Sequence, residues 1–88
     1  MKHIVLDCAP LSGEKAFHEA LFLALEFPEY YGRNLDALYD CLSTLSEPTH
    51  LVLKHFEALK PRLGEKAPGF VSVFDDAAQC GNFSWEQA

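Results

Sequence analysis

The sequence predicts an α/β domain, with a small three-stranded parallel sheet and about four helices in the order β-α-α-β-α-α-β. Three short apolar runs, Ile4-Val5-Leu6, Leu51-Val52-Leu53 and the alternating Phe83-Ser84-Trp85-Glu86, stand far apart in a chain of 88 residues. Between them lie two long stretches whose apolar residues recur at helical spacing. Connections of that length join parallel strands, and helices are then expected to cover the sheet. So short a chain has no room for a second core, so residues 1–88 are read as one domain.

Ile4-Val5-Leu6, ended by Asp7 and the Pro10 region, reads as a short buried strand. Ser12 suits a helix N-cap and Glu14 the first turn after it. Phe17, Ala20, Leu21, Ala24 and Leu25 then carry a helix to Phe27, where Pro28 disfavours helical geometry. After the turn Glu29-Tyr30-Tyr31-Gly32-Arg33, Asn34 is a natural cap for a second helix with an inner stripe of Leu35, Leu38 and Leu42. Leu51-Val52-Leu53, an unbroken apolar run, is expected to be a strand buried on both faces. Phe56, Leu59 and Leu63 suggest a third helix despite Pro61, which removes a backbone donor. Phe70 to Phe74 is β-rich and ambiguous. Pro68 in a first turn, the shared face of Phe70, Phe74 and Ala77, and Gly81 as a C-terminal cap favour a helix. Phe83 and Trp85 alternate with polar residues, as in a final edge strand.

The chain is 49% hydrophobic and 23% charged, the balance of a globular protein and not of a disordered one. Its formal charge of -6 repels phosphate backbones, which argues against nucleic-acid binding and favours a basic partner. Half of that charge falls between Glu29 and Glu47, where Glu29, Asp36, Asp40 and Glu47 oppose the one base Arg33. Cys8, Cys41 and Cys80 are scattered and odd in number, as expected of reduced thiols in the cytoplasm. No apolar run suits a signal peptide or a membrane span. His3, His18, His50 and His55 have no metal-ligand spacing, and no nucleophile motif accompanies them, so neither a cofactor, a metal nor an enzymatic site is expected.

At about 100° per residue, the second helix carries its leucines on one side and Asp36, Tyr39, Asp40 and Ser43 on the other. Two carboxylates flanking a ring, with Tyr30 and Tyr31 in the turn before, form a band suited to a cationic cleft. Carboxylates there stand in place of phosphates, and rings pack around them.

The stretch FPEYYGRNLDALYDCL, Phe27 to Leu42, resembles the central segment of the barstar family of ribonuclease inhibitors. Weaker similarity extends over nearly the whole chain, through Leu51 to Leu53, Phe56-Glu57 and Val73 to Ala77. The resemblance implies a three-stranded parallel sheet with four helices, and a turn and second helix that enter a nuclease active site. It implies that Tyr30 packs against the catalytic machinery, while Gly32 and Asn34 shape the loop and offer hydrogen bonds. Leu35 would lie at the edge of the contact, Asp36 would meet bases on the rim, and Asp40 would enter the phosphate site as a substrate mimic. Asp76 stands where the family has a glutamate and implies a secondary contact of shorter reach. Tyr39 replaces a family tryptophan, and Arg33 replaces an acid, which is expected to tune the choice of target. The partner implied is a basic, extracellular-type ribonuclease held one-to-one by an inhibitor that is monomeric when free. The alternative is an interaction module of the same fold whose basic partner is not a ribonuclease, for instance another toxin.

Overall fold

A computed structural model describes residues 1–88. Strand β1 (Lys2–Asp7) leads into helices α1 (Glu14–Ala24) and α2 (Leu35–Ser43), then strand β2 (Thr49–Lys54). Helix α3 (Phe56–Leu63), a single 3-10 turn (Gly64–Lys66) and helix α4 (Ala67–Ala78) follow, and strand β3 (Phe83–Gln87) closes the chain. The strands lie in the order β1-β2-β3, both pairs parallel, with Ile4 opposite Leu51 and Leu51 opposite Trp85. The expected fold class and element order are therefore present, with the 3-10 turn as an addition.

The order β1-β2-β3 has a consequence that the expected covering of the sheet overlooks. Both crossovers step across the sheet in the same direction, and parallel crossovers are right-handed, so both helix pairs fall on one side. Along β2, Thr49, Leu51 and Leu53 are buried, whereas His50 and Val52 are only half-buried and Lys54 is exposed. β2 is thus buried on one face, not two. β1 is not a buried strand either: Ile4 and Leu6 are half-buried, and Val5 is 61% exposed. Polar pairs occupy this bare side. His50 bridges Ser84 and Glu86, each at 2.7 Å, His55 meets Asp7 at 2.9 Å, and the His3 ring lies edge-on to that of His50.

The core fills the space between the helices and the covered side of the sheet. Phe17, Phe56, Phe70 and Phe74 are its largest buried side chains, with Leu21, Leu38, Leu42, Leu51, Leu53 and Leu59 around them. The ambiguous Phe70–Phe74 run is helical, and Phe70, Phe74 and Ala77 all face this core, as a 3.6-residue period requires.

Three element ends differ from expectation. Gly13, not Ser12, holds the N-cap of α1, since its carbonyl accepts the first helical bond from the Phe17 amide. The same helix stops at Ala24 rather than Phe27. Glu26 takes a left-handed conformation (φ 56°), and the Phe27 amide reaches back to the Phe22 carbonyl, a Schellman-type closure that turns Phe27 inward. Helix α4 ends at Ala78 with Gln79 as its cap, so Gly81 is not the cap. Its φ of 98° instead reverses the chain into β3. Pro61 is accommodated inside α3, because the carbonyl that loses its donor is that of solvent-exposed Glu57.

Candidate functional site

Asn34 starts α2 in the expected way. Its backbone is extended, its side-chain oxygen accepts from the Ala37 amide at 2.8 Å, and its amide group donates to the Gly32 carbonyl at 3.2 Å. The same side chain therefore caps the helix and closes the turn before it. Leu38 and Leu42 point into the core. Leu35, expected to be buried with them, is only half-buried, because it sits in the first turn where α2 meets the N-terminal end of α4. A methyl group on Gly69 of α4 would lie 2.7 Å from the Leu35 Cδ1, so a side chain at 69 would push Leu35 aside.

The outer face of α2 exposes Asp36, Tyr39 and Asp40. Packing of α4 alongside adds Asp76, and a shallow hollow of about 420 Å³ opens between Leu35, Asp36, Tyr39, Asp40, Val73 and Asp76. Three carboxylates and one ring thus border a single depression whose lining holds no base. Asp40 also borders a larger groove of about 650 Å³, which runs past Tyr30 and Leu45 to Glu47. Asp40 therefore stands on the ridge between the two concavities, the one acid that borders both. Tyr30 is 87% exposed beside it.

Tyr39 borders the same hollow, its hydroxyl 3.6 Å from the Cys80 thiol. That contact, with Asp76 and Asp40 close by, raises the phenol above its ordinary pKa and keeps it a neutral ring among acids. Ser43 is drawn away from the band: its hydroxyl donates to the Asp40 carbonyl at 3.2 Å, and Thr44 donates to the same oxygen at 2.7 Å. Gly32 and Asn34 are exposed at the mouth of the turn.

Tyr31 does not join the exposed aromatic group. It is 3% exposed, its ring packs on Phe27 at 4.9 Å, and its hydroxyl lies 2.6 Å from Nδ1 of His18. The signal for His18 was present in the sequence. It shares a helical face with Leu21 and Leu25, and a polar side chain on such a face needs a buried partner. Of two adjacent tyrosines in a tight turn, one can face out and the other in. Arg33, expected to tune the choice of target, is turned toward α1 in the free protein. Its Nε donates to Glu19 and its Nη1 to the Tyr31 carbonyl at 2.8 Å, while its guanidinium lies over the Phe22 ring. Arg33 holds the Glu19 carboxyl below its usual range.

Burial lowers the His18 pKa, against an opposing pull from Glu14, whose carboxylate is 3.8 Å from the otherwise unpartnered Nε2. The folded state therefore holds a neutral imidazole more firmly than the unfolded chain does. That contribution is complete above the unfolded pKa near 6.5 and is lost as pH falls through the lower folded value. Thermal unfolding between pH 7.5 and 5 should show a falling midpoint, and His18→Gln should flatten that slope. An equal slope in both proteins would assign the acid sensitivity elsewhere.

All three cysteines are free, and burial pushes the Cys8 thiol up to about 11, which leaves it unreactive. No three histidine, cysteine or carboxylate side chains converge as a metal site would need. No helix is long and apolar enough to cross a membrane.

Comparison with known proteins adds two findings. The family model described as Barstar (barnase inhibitor) matches residues 1–86. The "Putative ribonuclease inhibitor YrdF" of Bacillus subtilis (strain 168) is 40% identical over 80 residues, which cover 90% of this chain and 88% of that protein.

Proposed function

This chain belongs to the barstar family, and from that premise we propose that it blocks a basic, extracellular-type ribonuclease by seating Asp40 in the enzyme's phosphate site. The observation that carries the reading is the ridge position of Asp40, flanked by Asp36 and Asp76 around one base-free hollow. A cleft built to hold a polyanion presents clustered cations, and three carboxylates at fixed positions complement it without being cleaved.

The neighbouring residues take roles set by where they lie. Tyr30, fully projected, packs over the catalytic groups, and Asp36 and Asp76 meet bases on the two sides of the rim. Leu35 and Tyr39 form the dry floor between the acids. Gly32 and Asn34 offer hydrogen bonds at the mouth of the turn, and Ser43 stays at the periphery because its hydroxyl is already engaged by the helix. The protein needs no cofactor, performs no chemistry of its own, and acts one-to-one as a monomer. Its three free thiols suit the cytoplasm, where it protects the cell from its own secreted enzyme.

The test is RNA cleavage by barnase and other basic bacterial ribonucleases, titrated with the purified chain. Cleavage should stop at one equivalent. A complex that leaves cleavage intact would overturn the reading in favour of a module with another basic partner. Association should also be fast and slow down as salt rises, because complementary fields steer the encounter and ions screen them. Stopped-flow rates that stay flat from low to high salt would count against the acidic face as the contact.

A further inference from the structure

The one base in the acidic stretch is folded back onto the protein. The guanidinium of Arg33 is engaged on three sides: by the Glu19 carboxylate, by the Tyr31 carbonyl at 2.8 Å, and by the face of the Phe22 ring 4.9 Å away. Glu19 and Phe22 belong to α1, as does His18, which holds the Tyr31 hydroxyl from inside. The turn from Pro28 to Asn34 is therefore fastened to α1 at two points, one buried and one at the surface.

We propose that the Glu19–Arg33 pair is a clasp that holds the partner-binding turn in its binding shape, with Glu19 a positioning residue that itself touches no partner. This inference rests on the inhibitory reading of the turn and says how that surface is kept ready. Two physical arguments support it. Arg33 has a left-handed backbone (φ 52°), a conformation that costs free energy for a residue with a side chain and persists where surroundings impose it. Three contacts on its side chain supply that constraint. The second argument is electrostatic: a free guanidinium in this turn would add a positive charge to the surface offered to a basic partner. Glu19 cancels that charge and keeps it turned toward α1.

An exposed ion pair adds little to global stability, so its effect should appear in the order of the turn and in binding. In the free protein, Glu19→Gln should speed hydrogen exchange at the Tyr31 amide, which donates to the Pro28 carbonyl at 2.9 Å. Dissociation from barnase should quicken about fivefold, with the thermal midpoint moved by no more than about two degrees. Glu19→Gln should be worse than Arg33→Ala, because it leaves the cation loose. The double variant should therefore bind better than Glu19→Gln alone, a recovery that a purely structural role would not give.

Unchanged Tyr31 exchange in Glu19→Gln overturns the clasp whether or not any nuclease binds. Faster exchange with unchanged dissociation shows that binding does not use the order of the turn, and also overturns it. Loss of binding in Arg33→Ala but not in Glu19→Gln would place Arg33 on the nuclease itself. Failure of the parent chain to inhibit any ribonuclease would sink the inhibitory reading instead, since the exchange measurement needs no partner.

Discussion

Replacing Asp40 with alanine should weaken inhibition by at least ~3 kcal/mol, the behaviour of a central hot spot, a class whose upper end is set by this family's own inhibitor–nuclease complex. Asp36→Ala and Asp76→Ala, on either side of the hollow, should each cost roughly 1 kcal/mol, as partly solvated rim charges do. The difference arises from place. Asp40 borders both concavities of the free protein, and on the proposed reading it is the carboxylate that a partner would cover most completely. Its loss leaves the nuclease's cations buried without a partner, which costs more than the pair itself contributes. Stability should be untouched or slightly higher. The hydrogen bonds of Ser43 and Thr44 to Asp40 go to its backbone carbonyl and not to its carboxylate, and one of two like charges a turn apart disappears. Inhibition constants and unfolding midpoints for the three variants, measured side by side, decide the matter. An Asp40→Ala protein that inhibits as well as its parent would remove the phosphate-mimic mechanism.

Phe74→Ala should give the largest loss of stability, about 3–5 kcal/mol, as for a fully buried phenylalanine whose cavity cannot close. Phe74 is 0% exposed, and its ring touches those of Phe17, Phe70, Phe83 and Trp85, so it joins α4 to α1 and to β3 at once. Domains of this size are held by roughly 5–15 kcal/mol, so the variant should sit near the limit of folding. Trp85, whose ring centroid is 5.0 Å from that of Phe74, reports the transition by fluorescence in urea. Leu23→Ala is the control: Leu23 is 71% exposed, and its change should lie within about 0.5 kcal/mol. A Phe74→Ala midpoint close to that of the control would mean that the core closes over the gap.

What the sequence made legible follows from how local each signal is. The second helix was readable because its cap, its leucine stripe and its acidic face are all set by residues within one element. α4 was readable against its own β-rich composition, since Phe70, Phe74 and Ala77 keep a helical period while Pro68 fits the first turn. The bare side of the sheet was not readable from Leu51-Val52-Leu53, because an apolar run does not say which face is covered. That depends on the strand order, a long-range property. The inward turn of Tyr31 and the fold-back of Arg33 were not readable for a related reason. Their partners, His18 and Glu19, lie more than a dozen residues upstream, and the charge of Arg33 alone says nothing of where its side chain turns. The hollow, likewise, needs Val73 and Asp76 from α4, which no pattern within α2 announces.

The one-sided sheet has a practical corollary for handling the molecule. Every helix, including the two that carry the acidic residues, lies across the sheet from Val5 and Val52. A dye, a spin label or a surface tether attached through Val5→Cys would therefore hang from the far side of the protein. A chip coated this way would hold every molecule by the side of the sheet that the helices leave bare, in one common orientation for measuring capture. The thiol added at position 5 would have to be distinguished from exposed Cys80 and half-covered Cys41, since Cys8 is sealed.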